Sequence, residues 1–311
     1  MSVEFETIAF KGWPHALRMS NGTIELIATL DVGPRILSYT RAGGLNPFNV
    51  YEDQAGGVGE PVWRNRGGHR LWLSPEAPGF SDFPDNHPVA WEKLGETGVR
   101  LTPAPETGPG FQKQIDIVLT PKGSGVTLTH RITRIGKTPC RAAPWALSVM
   151  AAGGAAIIPQ PPLGVHPRDL LPNRRLVIWP YTDLTDPRYH LGPRYITLRQ
   201  DAAAKPTKIG LALEPAWAGY LLKQTLFLKK FPWLPDAEFP AYGCNIEVFT
   251  NARMLELESL GPMKTLAPGE KSELKEVWDL KVDVPELDPR DEAALDAYFS
   301  ARGIPASIGA P

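Results

Sequence analysis

Short alternating segments set apart by proline and glycine constrain this chain more than any other feature. In "GVTLTHRITRI" (125–135), Val126, Leu128, His130 and Ile132 fall on one side, and Thr127, Thr129, Arg131 and Thr133 on the other. A period of two marks a half-buried strand. "QKQIDIVL" precedes it across "TPKGSG", and "TIELIATL" (23–30) and "RILSYTRA" (35–42) flank "DVGP". "RRLVIWPY", "RYITLRQ", "KIGLALE", "TLFLKKF", "CNIEVFT", "RMLELESL" and "ELKEVWDLKV" continue the pattern. The 33 prolines and 29 glycines are spread along the whole chain, which suits many short strands rather than long helices. An all-β fold in a single domain (1–311) is expected.

One segment reads as a helix. "DPRDEAALDAYFSARG" (288–303) offers Asp288 as N-cap, Pro289 at the first helical position and Gly303 as the stop, and is expected to pack outside the β body. Residues 43–68, 74–90 and much of 159–175 are rich in turn residues and read as loops.

Several function classes drop out on composition. The formal charge of −1 gives no basis for capturing nucleic acid or an anionic membrane. Cys140 and Cys244 are too far apart for a metal-ligand spacing or a disulfide framework. No long apolar run and no signal-peptide pattern is present, so a cytoplasmic protein is expected. Phosphate loops, dinucleotide fingerprints, HExxH and GxSxG are all absent.

What remains is histidine, arginine, carboxylates and nine tryptophans. Sugar rings stack their CH faces on indoles, and their hydroxyls take paired partners such as Arg, Asp, Glu and Asn. Core filling is the commoner use of any one tryptophan in a β protein. "NRGGHRLWLSPE" (65–76) gathers His69, Arg70, Trp72 and Glu76 behind Gly67-Gly68. His69 can act as general acid or base; the bland alternative is a loop histidine bonded to nearby backbone. His130, on an apolar strand face, reads as a satisfied core histidine. His87, in "PDNHP", could line a pocket mouth. Glu247 lies in an apolar run near Asn245 and Tyr242, where partial desolvation suits a general base. Glu256 and Glu258 share one strand face, about 7 Å apart. No metal is expected, although Glu76, Asp82 and Asp85 are the loop acids a calcium ion would use.

Three segments carry a family resemblance: "DVGPRILSYTRAGGLNPFNV", "GGHRLWLSPE" and "NIEVFTNARMLELESLGPMKTLAPGEKSELKEVWDL" (245–280). Together, over about 20–282, they resemble the galactose mutarotase-like (aldose 1-epimerase-like) proteins, and a poorly characterised branch more than the true mutarotases. The resemblance implies a β-supersandwich with a sugar pocket on its concave face. It implies Glu247 as the base that takes the anomeric hydroxyl proton, with His69 as the matching histidine. Arg35, Arg70, Trp72, Glu76, His87 and Asn245 would hold a small carbohydrate. No cofactor is implied, because each step is a proton transfer. True mutarotases also carry an acid histidine in a middle segment. Here that segment looks like "APWALSVMAAGG" (143–154), where Trp145 and Ser148 stand and no histidine does. Three readings stay open: an aldose 1-epimerase-like isomerase, a non-catalytic sugar binder, and a glycosidase or lyase pairing Glu258 or Glu76 with Glu256. The last fits poorly, since a glycosidase's carboxyls must straddle a bond at about 5 Å or about 6.5–9.5 Å.

Overall fold

A computed structural model of the chain describes residues 2–214 and 216–305. In chain order its strands begin with β1 (Glu4–Phe10), β2 (Trp13–Ser20), β3 (Ile24–Thr29), β4 (Arg35–Arg41) and β5 (Gly68–Ser74). Next come β6 (Val89–Leu94), β7 (Gly98–Pro103), β8 (Phe111–Leu119), β9 (Val126–Arg134), β10 (Cys140–Met150), β11 (Ala155–Pro159), β12 (Arg175–Ile178) and β13 (Tyr189–Leu191). The last are β14 (Tyr195–Arg199), β15 (Thr207–Ala212), β16 (Trp217–Leu222), β17 (Thr225–Lys230), β18 (Ile246–Thr250), β19 (Leu255–Leu260), β20 (Lys264–Leu266) and β21 (Lys271–Lys281). They form two antiparallel sheets, and the all-β expectation holds.

The first sheet runs β1-β2-β3-β4-β5-β10-β19-β18-β15-β12, with β20 added to the start of β10. The second runs β13-β14-β11-β16-β17-β21-β9-β8-β7-β6. One apolar core fills the space between them, from Val3 to Leu280. The alternation read in β9 is the one found: Val126, Leu128, His130 and Ile132 are buried, and the intervening threonines are half-buried. In β5 all seven residues are buried, as are those of β10 from Ala142 to Met150. These central strands are therefore covered on both faces, by the second sheet on one and by loops on the other.

Gly67 and Gly68 deliver the chain from the 43–68 loop into a central strand. Both adopt positive φ (87° and 71°). A Cβ on Gly67 would stand 2.0 Å from the Asn49 carbonyl oxygen, and one on Gly68 would stand 2.5 Å from that of Ile36. Only glycine permits this approach of the 43–68 loop to the β4–β5 edge.

The helix spans Glu292–Ser300 and is shorter than expected. Its N-cap is Asp291, whose carboxylate accepts from Ala293 N and Ala294 N. Asp288 instead accepts from Arg290 N in a turn that precedes the helix. Asp288 and Pro289 thus belong to the turn before the helix, and the cap falls to the next aspartate. Gly303, with φ 64°, ends the segment, and Ile304 N returns to Phe299 O. Leu295, Tyr298 and Phe299 pack on Trp217, Leu226 and Leu228 of the second sheet's outer face. Among the described residues no helix is long and apolar enough to cross a membrane. Asp291→Ala is expected to cost about 1 kcal/mol in urea denaturation, and Asp288→Ala well under that; equal losses would place the cap wrongly.

Candidate functional site

The pleat of the first sheet sorts its polar residues. Register pairs Trp72 with Trp145, Arg70 with Leu147, Leu147 with Glu258, Glu258 with Glu247, and Phe249 with Lys208. Residues paired in this way share a face, and here it is the outer one. Trp72, Trp145, Leu147 and Leu260 form an apolar cluster there, with Trp63 of the 43–68 loop packed on it. Lys208 Nζ lies 2.6 Å from Glu247 and 2.9 Å from Glu258, and the ammonium stands 4.8 Å from the Trp145 ring and 4.9 Å from that of Trp179. Trp145 Nε1 donates to Glu258 Oε2 at 3.1 Å. Arg70 bonds Glu256 at 2.9 Å and is held between Trp63 and Trp72, 5.0 and 4.6 Å from their rings.

Three carboxylates, Glu247, Glu256 and Glu258, thus face two cations, Lys208 and Arg70, nearly out of water. Full ionisation would leave one uncompensated negative charge in a low-dielectric place, which is costly. Glu258 is the group that yields. Its burial, with Glu256 and Glu247 close by, pushes its pKa up to about 8 against the pull of Lys208. Its Oε1 is buried without a partner, a place for the retained proton. For Lys208, burial works to lower the pKa, but Glu258 and Glu247 raise it above the ordinary lysine value.

The inner face of the same strands meets the second sheet and carries a separate network. His69 of β5 lies there, with its Nδ1 2.9 Å from Ser148 Oγ and its Nε2 2.6 Å from Nε2 of His130. His130 Nδ1 lies 3.1 Å from the Leu274 carbonyl oxygen. A carbonyl only accepts, so His130 carries its hydrogen on Nδ1 and offers a bare Nε2. His69 then donates from Nε2 and accepts from Ser148 at Nδ1. Lys229 Nζ approaches Ser148 Oγ (3.3 Å) and pairs with Glu276 at 2.9 Å. Ser259 and Trp278 also donate to Glu276. His69, His130, Lys229 and Glu276 all have 0% exposure.

Burial, then His130 and Lys229, hold His69 well below the usual imidazole pKa; burial also lowers His130 although Glu276 opposes it. Burial lowers Lys229 against Glu276, and Glu276 stays below the usual carboxylate range because Lys229, His130 and Ser259 outweigh its burial. His69, His130 and Glu276 have ligand atoms within 4.8 Å of one another, a metal-like spacing. However, Lys229 already neutralises Glu276. A dication added there would leave two buried positive charges without counterions, so these residues do not fit a metal.

The expected site residues therefore divide. Arg70, Trp72 and Glu247 share the outer face, and Glu76 stands exposed at its rim, 4.0 Å from Lys208. His69 does not join them; it faces the core from the adjacent position on β5. Asn245 is spent on structure, since its amide accepts from Leu213 N (2.8 Å) and donates to Leu213 O (3.1 Å), extending the ladder where β15 ends. Arg35 is buried as a brace, donating to Asn65 O, Arg64 O and Asp85. His87 is exposed beside a small cavity lined by Asp85, Glu106 and Leu71, a residue of the inner face. Tyr242, read as a neighbour of Glu247, is 89% exposed in a left-handed turn. Asp82 accepts from Gly79 N in a local turn. Lys208, Trp63 and Glu276 were not anticipated, and Lys229, expected as a cation near the sugar site or on the surface, lies in the core. The signal for the last two was in their strands: Lys229 shares its parity with Phe227, and Glu276 with Leu274 and Trp278.

No family model and no curated protein matches the chain. Solved structures do. The Slr1438 protein of Synechocystis sp. PCC 6803 superposes with a TM-score of 0.59 at 12% identity, over 89% of this chain and 99% of that one. A galactose mutarotase-like protein from Lactobacillus casei gives 0.56 at 13% identity, over 85% and 99%. A putative aldose 1-epimerase from Klebsiella pneumoniae gives 0.55 at 11%, over 96% and 87%. The chain has the galactose mutarotase-like fold.

Two outcomes test the inner network. Lys229→Met leaves Glu276 as a lone buried charge and is expected to destabilise by about 3–5 kcal/mol, with at least half recovered in Lys229→Met/Glu276→Gln; additive losses in urea denaturation would contradict the pairing. The second outcome concerns pH. Below about 6.5 the unfolded chain protonates its imidazoles while folded His69 and His130 stay neutral, so the unfolded state binds more protons and stability is lost as the pH is lowered. Each histidine contributes a slope of about 1.4 kcal/mol per pH unit in that window and none above it, and His69→Gln should remove one such slope.

Proposed function

We propose that the protein binds a small carbohydrate on the outer face of the first sheet and interconverts its anomers. The observation that carries this reading is the single-face constellation of Trp72 and Trp145 with Arg70, Lys208, Glu247 and Glu258. Indole faces supply stacking surface and the charged groups supply paired hydrogen bonds, the combination a pyranose requires. Solved structures of this fold described as galactose mutarotase-like or putative aldose 1-epimerase support the substrate class by analogy.

In this reading the acid is Glu258 and not His69. Glu247 takes the proton of the anomeric hydroxyl, and Glu258, which keeps its proton up to about pH 8, gives it to the ring oxygen. The ring opens, the carbonyl turns its other face, and reclosure reverses both transfers, so protons balance over the cycle. Lys208 sits between the two carboxylates and holds them in relation to each other. Non-catalytic binding is the second reading. The engagement of both glutamates by Lys208 favours it.

Anomer exchange followed by NMR separates the two. Catalysis predicts exchange above the spontaneous rate, a fall in kcat/KM as pH rises through about 8 and Glu258 ionises, and loss of about 10²-fold or more in Glu247→Gln or Glu258→Gln. Saturable binding with no exchange above the spontaneous rate would leave the binder, and absence of both would remove the carbohydrate reading.

A further inference from the structure

The geometry points to an oxoanion on the ligand, a carboxylate, phosphate or sulfate group, seated at the arginine end of this face against Arg35, Arg66 and Arg70. The inference rests on the carbohydrate reading for its location and goes further in naming the chemistry of the substrate. It starts from register. Ile36 pairs with His69, so one step along the antiparallel pair sets Arg35 opposite Arg70 on the outer face. Like charges opposed across two strands are unfavourable, and more so out of water. Both guanidinia nevertheless lie buried around one indole, 5.8 and 5.0 Å from the Trp63 ring. Arg66 is fully buried as well. Arg35 donates to the carbonyl oxygens of Arg64 and Asn65, which brings it against the segment that carries Arg66.

Each guanidinium has a carboxylate on one edge: Asp85 for Arg35, Glu60 for Arg66 and Glu256 for Arg70. Backbone carbonyls of Asn65 and Arg64 take further N–H groups of Arg35, and that of Gly57 takes one of Arg66. Arg35 Nε, Arg66 Nε and Nη1, Arg70 Nε and Nη1, and Trp63 Nε1 are all buried with no acceptor. Buried donors without partners are rare in folded proteins and costly. All of these groups donate and none can accept. A sugar hydroxyl or a water brings hydrogens of its own, which would find donors on every side. An oxoanion brings only acceptors, and its geometry suits the guanidinium fork. Arg70, clamped between Trp63 and Trp72, is fixed in place before a ligand arrives. The opposite end of the face is reversed in character, carrying the carboxyl groups of Glu247 and Glu258. The site is thus polarised: acceptors of the ligand at β4–β5, its hydroxyl donors at β18–β19.

Calorimetry on the full chain tests this with four probes: glucose, glucose 6-phosphate, glucuronate and inorganic sulfate. At least tenfold tighter binding of the phosphosugar or the uronate than of glucose, weakening as salt rises, is the expected result. Tightening with one alone supports the proposal and identifies the oxoanion. Sulfate should compete with the tight-binding probe. Arg66→Gln, checked for folding by circular dichroism, should shrink the preference over glucose. Glucose binding as tightly as both the phosphosugar and the uronate would overturn the oxoanion and leave the carbohydrate reading standing. No binding by any probe would overturn both.

Discussion

Everything distinctive about this molecule follows from the pleat of β5. Neighbouring residues of a strand point to opposite faces. His69 therefore enters the space between the sheets while Arg70, one residue on, lies on the outer face under Trp63 and Trp72. The same division continues through β10, where Ser148 faces in and Trp145 and Leu147 face out. It extends to β19, where Leu257 and Ser259 face in and Glu256 and Glu258 face out. One sheet thus separates two clusters of charge that sequence proximity alone would merge. A one-residue slip in register would exchange them, putting three glutamates into hydrocarbon.

The inner cluster is unusual in its setting. Lys229 and Glu276 lie without exposure between two sheets whose other contacts are largely apolar. Well-packed hydrocarbon often matches or exceeds such a pair in stability, so its value lies in direction. Leu274 O fixes the tautomer of His130, which fixes that of His69, which orients Ser148. The chain of bonds ties β5 and β10 of one sheet to β9, β17 and β21 of the other in a single alignment that interchangeable apolar contacts cannot specify.

The fold was legible because alternation is a local property. The parity of β9 placed His130 in the core, and the strands from 244 onward were recognised as strands. The helix start was missed by one turn because Asp288 and Asp291 both offer a cap and the local pattern does not choose between them. The site was half legible. Arg70, Trp72 and Glu247 share one face of the first sheet. His69 was misplaced because "GGHRLWLSPE" was read for its grouping of polar side chains and not for its alternation; with a period of two, His69 shares its parity with Leu71 and Leu73 and belongs to the core. Lys208 was not legible. It pairs with Glu247 and Glu258 across strands far apart in sequence, and nothing in "KIGLALE" shows which neighbours those will be.

A shared fold hosts many chemistries, so the functional account depends on which side of the first sheet meets the ligand. The most direct measurement follows the indole N–H resonances of Trp72 and Trp145 and the imidazole nitrogens of His69 and His130 during titration with the carbohydrate that binds most tightly. The account predicts saturable shifts at both indoles, with the imidazole nitrogens holding their neutral tautomers unchanged. Imidazole shifts with silent indoles would contradict it and return the site to the interior of the sandwich.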